Sequence, residues 1–194
     1  MKLRNTPILF ILVFSIGTLV AQDTDEETHT VSINVTEIAL LDLESQTGTA
    51  ISLNGTAPTE AGNKVAFNAS NHNIWINYSS ICSSGNGNQN TREITVQITD
   101  GDVPDGLELK VVATEVAGLG DGAMGDAEEN ALVLSTQNAQ TIIDDIGNAY
   151  TGNGPSKGHN LTYTLTKNSD ADSYASLNFN QSQTITITYT LSDN

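Results

Sequence analysis

Cysteine is nearly absent from this chain: Cys82 is the single one in 194 residues. No internal disulfide can form, so packing and hydrogen bonds have to hold the fold without a covalent staple. Cys82 itself reads as a buried, inert thiol rather than a bridge or a reactive site. Positive charge is the second scarcity. Seven lysines and arginines stand against 23 aspartates and glutamates, for a formal charge of −16. A field of that sign repels phosphate backbones and anionic lipid, which argues against nucleic acid and membrane surfaces as partners, and it favours solubility and attracts cations. Aromatic residues make up 5% of the chain, too few for the stacking platforms of a sugar-binding face. After residue 20 there is no further apolar run long enough to span a bilayer.

A catalytic constellation is also missing. His29, His72 and His159 are isolated from one another, with no second histidine at metal-ligand spacing, and read as surface or strand-end residues. Gly154-Pro-Ser156-Lys-Gly158 has the letters of a nucleophile elbow. An elbow needs a strand before its serine and a helix after it, whereas here a loop precedes and a strand follows. The one histidine beyond Ser156 is too near to serve as its base. Nothing in the spacing of the carboxylates singles out the pair that a glycosidase needs. No residue is assigned a catalytic role, and the chain reads as non-enzymatic.

What is present begins at the amino terminus. Lys2 and Arg4 precede an apolar run from Ile8 to Val20, a small residue follows at Ala21, and Gln22-Asp-Thr-Asp-Glu-Glu27 is acidic. These are the n-region, h-region and cleavage site of a secretory signal peptide over residues 1–21. With no cysteine near the cut, a lipoprotein anchor is excluded. Cleavage leaves 173 of the 194 residues, enough for one domain with a sizeable core. Removing Lys2 and Arg4 takes the formal charge from −16 to −18. The expected organisation is therefore a flexible acidic leader over 22–30 and a single domain over 31–194. The expected location is secreted, extracellular or at the cell surface, by way of a bacterial periplasm, with no membrane span after cleavage.

Within the domain the dominant signal is alternation with a period of two, the mark of strands with one buried face. It is clearest in the last stretch, where Ile185, Ile187, Tyr189 and Leu191 share one face and threonines the other. The same pattern runs through Val31, Ile33 and Val35, followed after a bend by Ile38 to Leu43. Ala50–Leu53, Val65–Phe67 and Asn73–Tyr78 read as strands too, with Trp75 as a core or inter-sheet residue. Glu93–Thr99 and Leu107–Val111 form the clearest antiparallel pair, and Ala131–Leu134, Leu161–Leu165 and Tyr174–Phe179 complete the set. Residues 83–90 and 118–130 read as Gly-rich loops, and 138–150 as a turn or two of helix beside a strand alternative. About ten short strands with little helix predict an all-β, antiparallel β-sandwich of immunoglobulin-like or pilin-like build.

Two further patterns bear on ligands. Asp100, Asp102 and Asp105 crowd one turn, and Asp121, Asp126, Glu128 and Glu129 another, so Ca2+ is the cation to consider there, although neither matches a helix-flanked calcium loop. Six Asn-X-Ser/Thr triplets occur, Asn34-Val-Thr among them. In a chain so rich in these residues they arise by chance.

The terminal strand, Ser182 to Asn194, resembles the last strand of chaperone–usher type pilins and of spore-coat-U-like secreted subunits, which alternate in the same way and carry a tyrosine near the end. The chain departs from them in lacking their usual disulfide and in placing Tyr189 five residues from the end. The resemblance implies a subunit of an extracellular filament. Physical reasoning about the other end agrees, because an alternating segment behind a flexible leader can add to a neighbour's sheet edge by backbone pairing. Val31, Ile33, Val35, Ile185, Ile187, Tyr189 and Leu191 are accordingly the assembly candidates. The expected partner is a second copy or another surface subunit. The alternative is an extracellular module binding Ca2+ or glycans.

Overall fold

The structure, a computed structural model, describes residues 25–85, 88–181 and 183–194. The expected signal peptide lies outside the described residues. The chain divides into two units, Met1–Asn34 and Val35–Asn194; the fold below is that of the second. Its strands are β1 (Ile38–Ser45), β2 (Ser70–Ile81), β3 (Ser84–Gly85), β4 (Asn88–Gln89), β5 (Arg92–Asp100), β6 (Leu107–Ala113), β7 (Asp121–Ala127), β8 (Leu132–Val133), β9 (Gln140–Tyr150), β10 (His159–Lys167) and β11 (Thr186–Asp193). Helix is absent from the described residues. The protein is all-β and every strand pairing is antiparallel.

Nine strands join in one sheet rather than in two separate ones. The order is β11-β5-β9-β2-β10-β6-β8, with β1 added beside β2 and β7 beside β9. The two halves meet at β9, which runs with β5 through Gln140–Ile146 and with β2 only at Ser79↔Tyr150 and Ser80↔Ala149. Inward residues of both halves still share one core. Alternation explains which side chains those are: Ile74, Ile76 and Tyr78 on β2, Ile94, Val96 and Ile98 on β5, Leu109 and Val111 on β6, Leu161 and Tyr163 on β10 are all buried. Each such aliphatic side chain contributes about 1.5–3 kcal/mol by leaving water, which is how a chain without disulfides is held.

Several expectations need correction. Residues 138–150 form β9, not helix. Ile142, Ile143 and Ile146 are all fully buried because the pairing with β5 slips on either side of Ile94 and Asp145 adopts a left-handed φ of 54°. Such irregularities turn successive side chains inward and imitate helical spacing. The presumed loop 118–130 contains β7, whose glycines are tolerated because its ladder to β9 is also irregular. The pair β5 and β6 is not a hairpin. Both edges of β5 are taken, by β9 and β11, while β6 lies between β10 and β8.

Trp75 is only partly buried and stands on the outer face of β2, opposite Glu44 and Asn160. Parity required this once Ile74, Ile76 and Tyr78 went inward. Ala50–Leu53 is no strand: Ile51 and Leu53 pack on the core without a ladder partner. Val65–Phe67 is reduced to the single bridge Thr56↔Ala66. Tyr174–Phe179 is a run of turns, secured by bonds such as Ala175 N–H to the Asp172 carbonyl at 3.0 Å. His29–Val35 is not in a strand either; its apolar face is unpaired, with Val31, Ile33 and Val35 exposed by 72%, 87% and 72%.

Candidate functional site

The second unit holds a cleft of about 1120 Å³ lined by apolar side chains together with polar ones such as Asn54, Asp105 and Gln183. Leu43 of β1, Ile185 just before β11, and Ile187 and Tyr189 on β11 line one part of it, and Leu109 of β6 with Tyr163 and Leu165 of β10 line another. Among the described residues β1 pairs only with β2, and β11 only with β5. The first and last strands of the domain therefore each keep a free backbone edge beside it. Such edges are templates for another strand. Phe179 lines the cleft yet remains 95% exposed; a large apolar residue left in water marks its mouth.

One end is closed by Arg92. It begins β5 on the same parity as Ile94 and Val96, so its side chain points into the core and is buried. A buried cation needs partners. The guanidinium donates to the Ile38 carbonyl at 2.5 Å and to Ser80 Oγ at 3.1 Å, pairs with Asp193 at 2.8 Å and also with Glu37. Glu37 precedes β1 and Asp193 ends β11, so one residue ties the first and last strands together at that end. The cleft lies towards the other.

Two tyrosines face each other across it. Tyr163 on β10 and Tyr189 on β11 have their hydroxyl oxygens 2.7 Å apart. Burial pushes Tyr163 up to about 12, against the opposing effect of its bond to Tyr189, and burial together with the neighbouring Tyr163 holds Tyr189 well above the usual phenol range. Both stay protonated at neutral pH and serve as neutral hydrogen-bond donors.

Of the assembly candidates, Ile185, Ile187 and Tyr189 are gathered at this cleft, while Leu191 packs on the core. Asp100, Asp102 and Asp105 do not converge: among the described residues no three His, Cys, Asp or Glu side chains are grouped so as to hold a metal ion. Asp105 instead accepts a hydrogen bond from Gln181 Nε2 at 2.9 Å. Ser156 of the elbow-like motif is exposed in the β9–β10 loop with φ of 68°. Cys82 is half-buried, its thiol 3.3 Å from Ser80 Oγ.

Sequence reading missed His159, which is fully buried rather than a surface residue. Its parity with Leu161 and Tyr163 was the available signal. Gly158 before it has φ of 67° and lies where a β-carbon would collide with the Ile76 carbonyl, so only glycine lets the start of β10 come this close to β2. The imidazole stacks on Tyr78 at 5.8 Å between ring centres. Nδ1 lies 2.8 Å from the Thr114 carbonyl and Nε2 lies 2.9 Å from the Tyr78 hydroxyl. That hydroxyl also faces the Met124 carbonyl. The cluster joins β2, β7, β10 and the segment after β6.

Burial lowers the His159 pKa, only partly offset by the Thr114 and Met124 carbonyls and by Glu115. An unfolded histidine takes up its proton near pH 6.5 and the folded one at lower pH, so stability is full above about 6.5 and falls as pH drops from there through the folded value. Denaturant unfolding should show a loss approaching about 1.4 kcal/mol per pH unit in this window. A His159→Gln variant, compared with itself across the same range, should lack that contribution.

No helix among the described residues is long and apolar enough to cross a membrane. Comparison with protein-family models, curated proteins and solved structures found no match.

Proposed function

We propose that this chain is a secreted, non-enzymatic structural or adhesive surface subunit, and that copies join when residues His29–Val35 of one enter the cleft of the next. The observation that carries this reading is a complementarity. The chain holds an apolar, alternating, unpaired segment with Val31, Ile33 and Val35 in water, and it holds a cleft with an apolar floor of Leu43, Leu109 and Ile187, bordered among the described residues by two free strand edges. Burying the three side chains contributes about 1.5–3 kcal/mol each, before the cost of ordering the segment and of association. Backbone pairing with β1 or β11 adds to this, as in other strand-addition complexes. The acidic residues ahead of His29 keep the segment soluble until it docks.

The test uses the mature chain. Sedimentation velocity and electron microscopy should show linear species that grow with concentration, and an excess of a synthetic peptide of residues 25–37 should shorten them by filling clefts. Strictly monomeric protein at high concentration, or polymers indifferent to the peptide, would overturn the reading.

A further inference from the structure

Resting on that reading, the structure points to His29 as the residue that sets the register of the docked segment, and we propose that it does so by accepting a hydrogen bond from the Tyr163–Tyr189 pair. The two phenols bring two protons and spend one on their mutual bond of 2.7 Å. Among the described residues neither hydroxyl makes a second hydrogen bond, and Leu43, Leu109 and Ile187 are among the side chains lining the cleft. A donor left unmatched in such surroundings favours an occupant that carries an acceptor at that point.

The docking segment supplies one on the correct face. Positions 29, 31, 33 and 35 share a face in an extended chain, and Val31, Ile33 and Val35 have no polar side-chain atom. Thr30, Ser32 and Asn34 point the other way. Within the segment His29 is thus the single residue of the inward face whose side chain can accept, through a ring nitrogen. It is also at the leading end. The segment is tethered to its own domain through Thr36, so its amino-terminal end goes in first and reaches furthest. Tyr189 follows Ile187 along β11 towards Asp193, which Arg92 holds at the closed end. A slip of two residues outward would set Val31 against the phenols and leave the proton unmatched, and a slip of two inward would draw the Glu27 carboxylate out of water into a cleft with no cation among its lining side chains, so both neighbouring registers are disfavoured.

The experiment measures assembly of the mature full-length protein. His29→Phe keeps an aromatic ring without an acceptor and should raise the concentration needed for assembly by about tenfold. His29→Gln keeps an acceptor and should remain within about threefold of wild type. Replacing both Tyr163 and Tyr189 by Phe removes every donor of the pair, and in that background His29→Phe should cost nothing further, because partners in one hydrogen bond are not additive. Both His29 variants alter an exposed leader residue, so a folding defect cannot account for their effect. If wild type assembles, an Ile33→Asp control stops it and His29→Phe assembles like wild type, the proposal falls while the reading of function stands. If wild type does not assemble, both fall.

Discussion

Mature protein carrying Ile33→Asp will stay monomeric at concentrations where wild type polymerises. Ile33 is the most exposed of the three stripe residues, at 87%, so the substitution touches nothing that holds the domain, and its circular dichroism and unfolding midpoint should be unchanged. In the docked state the effect is large. The aliphatic burial of about 1.5–3 kcal/mol is lost, and a carboxylate would have to leave water for a cleft with no cation among the side chains lining it. Together these exceed about 3 kcal/mol, which raises the concentration for assembly by more than about a hundredfold. Ser32→Asp introduces the same charge one residue away, on the opposite face, and should change assembly by less than about threefold. Equal behaviour of the two variants would show that facing parity is irrelevant and would remove the docking model.

Replacing Arg92 with methionine should be the most damaging single change to the domain itself. The methionine fills much of the buried volume but leaves the Ile38 carbonyl and Ser80 hydroxyl without their donor. Glu37 and Asp193 have side chains 58% and 69% exposed, so they regain water, and the penalty stays below that of stranding a buried charge. A loss of about 2–4 kcal/mol in urea unfolding is expected. Since the guanidinium ties both ends of the chain's ladder, hydrogen exchange should accelerate first at Ile38–Leu40 and Thr190–Asp193. A loss below about 0.5 kcal/mol would place Arg92 among the ordinary surface ion pairs.

Strands whose alternation spans four or more residues were legible from sequence alone, since one buried face is enough to impose the pattern: β2, β5, β6, β10 and β11 all appear where Ile, Val and Leu alternate with Thr, Glu and Lys. Alternation did not reveal which strands pair. Glu93–Thr99 and Leu107–Val111 are neighbours in the chain and yet lie in different parts of the sheet, because pairing depends on how the whole sheet is ordered. Irregular backbone was the second obstacle. The slips near Ile94 that bury Ile142 and Ile143 together belong to two strands at once, and neither segment announces them alone. His159 was misjudged by residue type, and Arg92 went unremarked, although their parity with buried neighbours placed them inside. The cleft was illegible for a different reason: Leu43, Leu109, Tyr163 and Tyr189 meet only in the fold, and Ile51 and Leu53 imitate a strand where they line a concavity.

The ladder between β1 and β2 has a mechanical meaning. Its eight pairs run from Ile38↔Ile81 to Ser45↔Ile74 without a slip, and the chain coming from the leader enters β1 at its first residue, Ile38. Tension drawn through the leader along the strand axis therefore acts on all eight pairs side by side, so they must yield together rather than peel one after another. Pulling from Ser45 and away from the sheet would instead open them in succession at much lower force. A link loaded in shear through its first strand resists traction without a single covalent cross-bridge, which suits a chain that has only Cys82.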